Sequence, residues 1–165
     1  RGRRRQPAKP LWLLSMVKVV FVCWGNICRS PMAERVARTM AAELEIDVET
    51  DSVGISSEES GNPIDHRAAA VLRQSGYDPT GHRARRVTLA DLAGMDLVVA
   101  AENFHISRLE LLYPGGNYAL LNDFNPAMPK GQDLQDPWYG PASGFDDTLA
   151  DIEAAMPGIL AAVAG

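Results

Sequence analysis

Val17-Lys18-Val19-Val20-Phe21-Val22-Cys23-Trp24-Gly25-Asn26-Ile27-Cys28-Arg29-Ser30-Pro31 is the stretch on which the fold turns. Its first six residues form an almost continuous β-branched and aromatic run, as in a strand buried on both faces. Ser30 is a good helix N-cap and Pro31 suits a first helical position, and Ala33, Val36, Ala37, Met40 and Leu44 then recur at helical spacing. Outward from this unit, β-rich runs keep alternating with longer runs of 3.6 period. That alternation predicts an α/β fold, a parallel sheet with helices on both faces.

The remaining elements follow from the same signals. Ile46–Val53 reads as a second strand, and residues 54–63, rich in Ser, Glu and Gly, as a surface loop. Ala68, Val71, Leu72 and Ser75 form one face of a helix that Gly76 can end. Residues 96–101 make the third strand, 104–113 a helix stopped by Pro114-Gly115-Gly116, and 118–121 the fourth strand. A Pro-rich loop over 122–142 is long enough to imply a functional role. The last helix starts near Ser143, presents Phe145, Leu149, Ile152, Met156, Leu160 and Val163 at i+3/i+4 steps, and should bend at Pro157. No internal repeat or interdomain linker interrupts residues 16–165, which form one expected domain.

Composition bounds the function. The chain has 165 residues, 46% hydrophobic and 22% charged, enough for one core and too few for two ordinary domains. No run approaches the ~18 apolar residues of a membrane-spanning helix, so no membrane partner is expected. The two cysteines, Cys23 and Cys28, with three scattered histidines, cannot assemble a four-ligand zinc site, and no disulfide scaffold is plausible. Neither a metal nor any other cofactor is expected. The net charge of −5 hides five basic residues and no acid in residues 1–15, which leaves −10 on the rest. An acidic body argues against nucleic acid as a partner.

Residues 1–15 imitate the charged and apolar regions of a signal peptide. Lys18 interrupts the apolar run, however, the run continues into the first strand, and Met16 is a natural start. The segment is therefore read as a flexible extension, vector-derived or translated from upstream, and the expected compartment is the cytoplasm.

The loop between the first strand and first helix carries the chemistry. A loop in that position can point several backbone N–H groups inward, while the helix adds its positive end, so a tetrahedral oxyanion is bound without a metal. Gly25 allows close backbone approach, and Arg29 supplies a planar fork for two oxygens of a phosphoryl group. Cys23 lies at the base of this cradle. The helix end, Arg29, the loop N–H groups and the Ser30 hydroxyl all favour its thiolate, which makes it a nucleophile.

The run CWGNICRSPMAE resembles the signature loop of the low-molecular-weight protein tyrosine phosphatases, and the resemblance extends over residues 17–163. It implies a single Rossmann-like domain around a parallel sheet of about four strands. It also implies a two-step hydrolysis of protein phosphotyrosine and small aryl phosphates, in which Cys23 forms a cysteinyl-phosphate that water then releases as inorganic phosphate, both product and inhibitor. The family places a general acid in a late DPYY-like loop, matched by Asp136-Pro137-Trp138-Tyr139. Asp136 is thus the expected acid, with Trp24, Trp138 and Tyr139 walling the slot for the substrate ring. Trp24, Gly25, Asn26, Ile27, Cys28 and Ser30 form the phosphate-binding loop, with Ser52 and His82 as its hydrogen-bonded supports.

The resemblance further implies that Cys28 protects Cys23 by forming a disulfide under oxidation. Asp65 and Arg67 match a structural Asp-x-Arg pair, whereas the segment Ala101-Glu102-Asn103-Phe104-His105 departs from the family pattern and receives no role. Arg83, Arg85 and Arg86 read as a solvated charge run with a subsidiary capacity to attract acidic substrate segments. Two alternatives use the same fold and anion loop. An arsenate reductase needs further cysteines for its shuttle disulfide, and none exists beyond Cys28. In a protein arginine phosphatase, the second alternative, the residue at the position of Ile27 resembles Thr, so Ile27 favours phosphotyrosine.

Overall fold

β1 (Val17–Cys23) is covered on both sides. Val19, Phe21 and Cys23 face one core cluster, Val20 and Val22 face the other, and all five are buried. The computed structural model describes residues 16–164, so the expected extension over 1–15 lies outside the described residues. Four strands, β2 (Val48–Gly54), β1, β3 (Leu97–Ala100) and β4 (Tyr118–Leu120), lie side by side in that order and all run parallel. Val17 stands opposite Val48 and Cys23 opposite Gly54, while Val22 stands opposite Ala100 on the other side. The chain therefore steps from β1 to β2 on one side and then crosses back past β1 to add β3 and β4 on the other. The C-terminal ends of β1 and β3 border the switch point at which open α/β sheets form a crevice.

Helices cover both faces. α1 (Arg29–Glu43), α2 (His66–Gln74) and the long α5 (Ser143–Ala164) close the face of Phe21 through buried Met32, Val36, Leu72, Phe145, Ile152 and Met156. Each such side chain contributes roughly 1.5–3 kcal/mol by leaving water. The short α3 (Leu89–Leu92), not expected from the sequence, and α4 (Asn103–Leu112) cover the opposite face through Leu92 and Leu109. α5 continues through Pro157, whose missing N–H leaves one carbonyl of the preceding turn without its helical partner.

Several expected boundaries move, each for a local reason. Ile46 is not in β2: Glu45 takes a left-handed φ of 55°, and the Ile46 N–H returns to the Ala41 carbonyl, closing the end of α1. Ser30 is not the cap of α1 but its second residue, because Cys28 occupies the cap position and the Ser30 hydroxyl is engaged elsewhere. β4 stops at Leu120, where a 3₁₀ turn, Leu121–Phe124, opens the long loop. Among the described residues no helix is long and apolar enough to cross a membrane.

Candidate active site

The loop Trp24–Cys28 curls over the C-terminal end of β1 because β2 ends unusually close to it. A Cβ on Gly54 would stand 2.9 Å from the Trp24 carbonyl oxygen and 3.1 Å from the Asn26 Cβ, so this approach admits only glycine. At Gly25 a Cβ would meet the Glu59 side chain at 3.4 Å and the Ile27 side chain at 3.9 Å, both ordinary contacts. Asn26 sits at φ 59°, a left-handed conformation that Asn tolerates better than most residues.

Asn26 is fully buried, and its side chain points away from the cleft into a supporting network. Its amide donates to Ser30 Oγ at 2.9 Å and to Ser52 Oγ at 3.0 Å, and its Oδ1 accepts the Arg85 N–H at 3.0 Å. His82 Nε2 donates to the Asn26 carbonyl at 2.6 Å, and burial pushes this imidazole below its usual pKa, towards the neutral form. Ser52 and His82 thus stand behind the loop. Because Asn26 donates to Ser30 Oγ, the Ser30 proton has two acceptors within reach, Cys23 Sγ at 3.0 Å and the Val53 carbonyl at 3.4 Å.

Arg29 is the other fixed group. Its guanidinium is 3% exposed, donates from Nη1 to the Leu134 carbonyl at 2.7 Å and from Nη2 to Glu102 Oε2 at 2.7 Å. Glu102 is in turn met by His105. The His105 Nδ1 accepts the Glu102 N–H at 3.2 Å, which puts the ring proton on Nε2, 3.4 Å from Glu102 Oε2. Burial, reinforced by the Arg29 charge, pushes His105 down to about 4, so this ring is neutral at pH 7. The segment left without a role by sequence reasoning therefore anchors Arg29. The sequence signal available was position alone, since residues 101–105 follow β3 at the switch point.

The 136–139 segment reaches the same cleft from the far side. Asp136 Oδ2 lies 3.7 Å from Arg29 Nη2, and its Oδ1 accepts the Trp138 N–H at 3.1 Å in a local turn. Arg67 holds this segment down. It donates from Nη1 to the Trp138 carbonyl at 3.2 Å and stands 4.8 Å from the Trp138 ring and 4.6 Å from the Phe145 ring. Asp65, the cap of α2, holds Arg67 through both carboxylate oxygens, and the Asp65 N–H donates to the Ile27 carbonyl at 2.8 Å. The Asp65–Arg67 pair thus joins the anion loop to the Asp136 segment.

These elements enclose a cleft of about 150 Å³ lined by Cys23, Gly25, Arg29, Asp136 and all three expected wall residues, Trp24, Trp138 and Tyr139. Ile27 and Cys28 line it as well. Tyr139 is 91% exposed, so its contribution to the wall is at the rim. Glu58 and Glu59, placed by sequence in an unremarked surface loop, also border the cleft, and Glu58 Oε2 accepts from Trp24 Nε1 at 3.4 Å. Burial, with the Asp65 carboxylate nearby, pushes the Cys28 thiol up and keeps it protonated. Among the described residues no group of three or more His, Cys, Asp or Glu could hold a metal ion. The arrangement can seat a tetrahedral anion against a thiol, a fixed guanidinium and a carboxylate.

Comparison with known proteins finds relatives over nearly the whole chain. The family model described as "Low molecular weight phosphotyrosine protein phosphatase" matches residues 18–165. A low molecular weight protein-tyrosine-phosphatase of Streptomyces coelicolor is 42% identical over 153 residues, covering 88% of this chain and 93% of the relative. Low molecular weight protein-tyrosine phosphatase A of Mycobacterium tuberculosis is 41% identical over 148 residues, covering 86% and 88%. Among solved structures, YfkJ from Bacillus subtilis superposes with a TM-score of 0.82 at 32% identity, over 89% of this chain and 94% of that one. A family match that spans the whole described fold, with relatives above 40% identity over nearly their full length, shows that the chain belongs to the low molecular weight phosphotyrosine protein phosphatase family.

Proposed function

We propose that this phosphatase hydrolyses protein phosphotyrosine through Cys23, with Arg29 and Asp136 as its partners. The observation that carries the reading is the convergence of these three side chains on one cleft, from β1, α1 and a loop more than a hundred residues away. The Cys23 sulfur attacks phosphorus while the loop N–H groups and Arg29 hold the equatorial oxygens, which carry the charge of the transition state. The P–O bond to tyrosine breaks, and Asp136 gives its proton to the departing phenolate. The resulting Asp136 carboxylate then takes a proton from water as that water displaces the thiolate from phosphorus. Inorganic phosphate leaves last and competes with substrate for the same cradle. The Ser30 hydroxyl, with its oxygen already accepting from Asn26, can donate to the Cys23 sulfur when it departs as an anion.

The acidic body, with −10 outside residues 1–15, supports a protein rather than a nucleic-acid substrate. A mechanism resting on reduced Cys23 and a free Cys28 suits the cytoplasm, where thiols stay reduced. An arsenate reductase is not favoured, since the chain has no third cysteine and its relatives are named as tyrosine phosphatases. Steady-state hydrolysis of phosphotyrosine, phosphoserine and phosphoarginine peptides without added metal tests the reading. Phosphotyrosine turnover alone is expected, and preferential release from phosphoarginine would overturn the substrate class.

A further inference from the structure

Beside the cleft, and sharing Trp24 and Glu58 with it, lies a larger groove of about 620 Å³ whose other walls include Ile55, Arg86, Arg108 and Leu112. Buried Val87 and Leu109 give it an apolar floor. The partition between the two hollows is layered. The Trp24 ring stacks on Phe104 with centroids 5.9 Å apart, and the Arg108 guanidinium lies 5.4 Å from the Phe104 ring. The groove is thus continuous with the site of the reacting phosphoryl group, and Trp24, the residue after Cys23, stands at the junction.

Its charge is unbalanced. The sequence run of arginines separates in three dimensions: Arg85 is paired with Asp51 at 2.6 Å and Asp91 at 2.8 Å, whereas Arg86 turns to the groove. Ion pairs among the described residues engage Lys18, Arg29, Arg35, Arg38, Arg67 and Arg85, but neither Arg86 nor Arg108. Both are exposed. The nearest lining acid, Glu58, is turned to Trp24 Nε1. Two guanidinium groups outside these ion pairs, over an apolar floor, complement a peptide that carries acidic and apolar side chains together.

We propose that this groove binds the polypeptide on one side of the phosphotyrosine, with Arg86 and Arg108 holding acidic side chains and the Val87–Leu109 floor taking an apolar one. The proposal rests on the assignment of the Cys23 cleft as the phosphotyrosine site. Contacts remote from the reacting bond raise kcat/KM for peptides and leave a flankless aryl phosphate untouched.

The test compares three phosphotyrosine peptides, flanked by Glu, Ala or Lys, with a simple aryl phosphate. Wild type should prefer the Glu peptide to the Ala peptide by about tenfold, chiefly through KM, and the preference should shrink as salt is raised. Arg86→Ala with Arg108→Ala should erase the preference while hydrolysing the aryl phosphate at the wild-type rate, which also reports an intact fold. Arg86→Glu with Arg108→Glu should favour the Lys peptide. Equal kcat/KM for all three peptides with wild type, or a Glu preference that survives the double Ala change, would overturn the groove assignment alone. A wild-type protein that leaves the aryl phosphate intact would contradict the Cys23 reading and the groove with it.

Discussion

At the scale of the residue, Asn26 shows how much of the site is set by one buried side chain. Its amide and both carbonyl oxygens are engaged by Ser30, Ser52, Arg85 and His82, and its backbone is left-handed. Asn26→Ala would put a strained φ on alanine and take one hydrogen bond each from Ser30, Ser52 and the Arg85 N–H, at a cost of about 2–4 kcal/mol. A lowered denaturation midpoint together with a lowered kcat is expected, and a variant as stable as wild type would remove Asn26 from the loop's support. Glu102 acts on Arg29 in the same sense. Glu102→Ala removes one of the two anchors of the guanidinium, so kcat/KM should fall by ~10–100-fold and the inhibition constant of phosphate should rise. Glu102→Gln keeps a hydrogen-bond acceptor and should recover part of the loss.

Asp136 and Cys28 carry separate predictions. Asp136→Asn cannot donate a proton, so aryl phosphates with poor leaving groups should slow by ~10²–10⁴-fold and those with acidic phenols by less. Equal losses across a leaving-group series would exclude it as the acid. Cys28 is buried and its thiol is kept protonated, so it does not compete for the phosphoryl group, and Cys28→Ser should remain active. We propose that peroxide converts Cys23 to a sulfenic acid, with which the Cys28 thiol condenses to release water and leave a disulfide. Activity should return with dithiol reductant in wild type and poorly in Cys28→Ser. Equal recovery would reject the protective role.

At the scale of the element, legibility followed contiguity. The β1–loop–α1 unit was readable because one uninterrupted segment contains the strand pattern, the glycine, the thiol and the arginine. Glu102 and the Leu134 carbonyl were not, because their role exists only where the end of β3 and the long loop meet Arg29, 73 and 105 residues away in sequence. Hydrogen bonding moved the boundaries of α1 and β2: Ser30 lost its capping role to a contact with Cys23, and Ile46 lost its strand role to the closure of a helix end. Arg67 joins two elements that sequence treats separately. Arg67→Ala should free the 136–139 segment, raising KM for aryl phosphates several-fold with a smaller change in kcat, as measured by steady-state kinetics.

At the scale of the whole molecule, the two cores meet at β1, and the buried imidazole of His105 couples the site to folding. In the folded chain it titrates at about 4, against 6.5 when unfolded, because burial and then the Arg29 charge disfavour its protonation. Between these values the unfolded chain binds the proton and the folded one does not. Stability therefore falls as pH drops from about 6.5 towards 4, by on the order of 2–3 kcal/mol. His82, also shifted down by burial, adds in the same direction. Asp65 and Asp91 contribute outside this window. Burial would raise each carboxyl, but their arginine and backbone hydrogen bonds hold both below 3.8, so their stabilisation is lost only at lower pH. Urea midpoints measured from pH 7 to pH 4 should show this slope, and His105→Gln should flatten most of it.

The most direct test of the central claim is acid quenching of wild-type protein during turnover of a phosphotyrosine peptide, followed by peptide mapping by mass spectrometry. The account predicts a single phosphoryl group on the sulfur of Cys23, absent from Cys23→Ser, which should still bind phosphate or vanadate through Arg29 and the loop N–H groups. A phosphoryl group on any other residue, or turnover by Cys23→Ser, would contradict it.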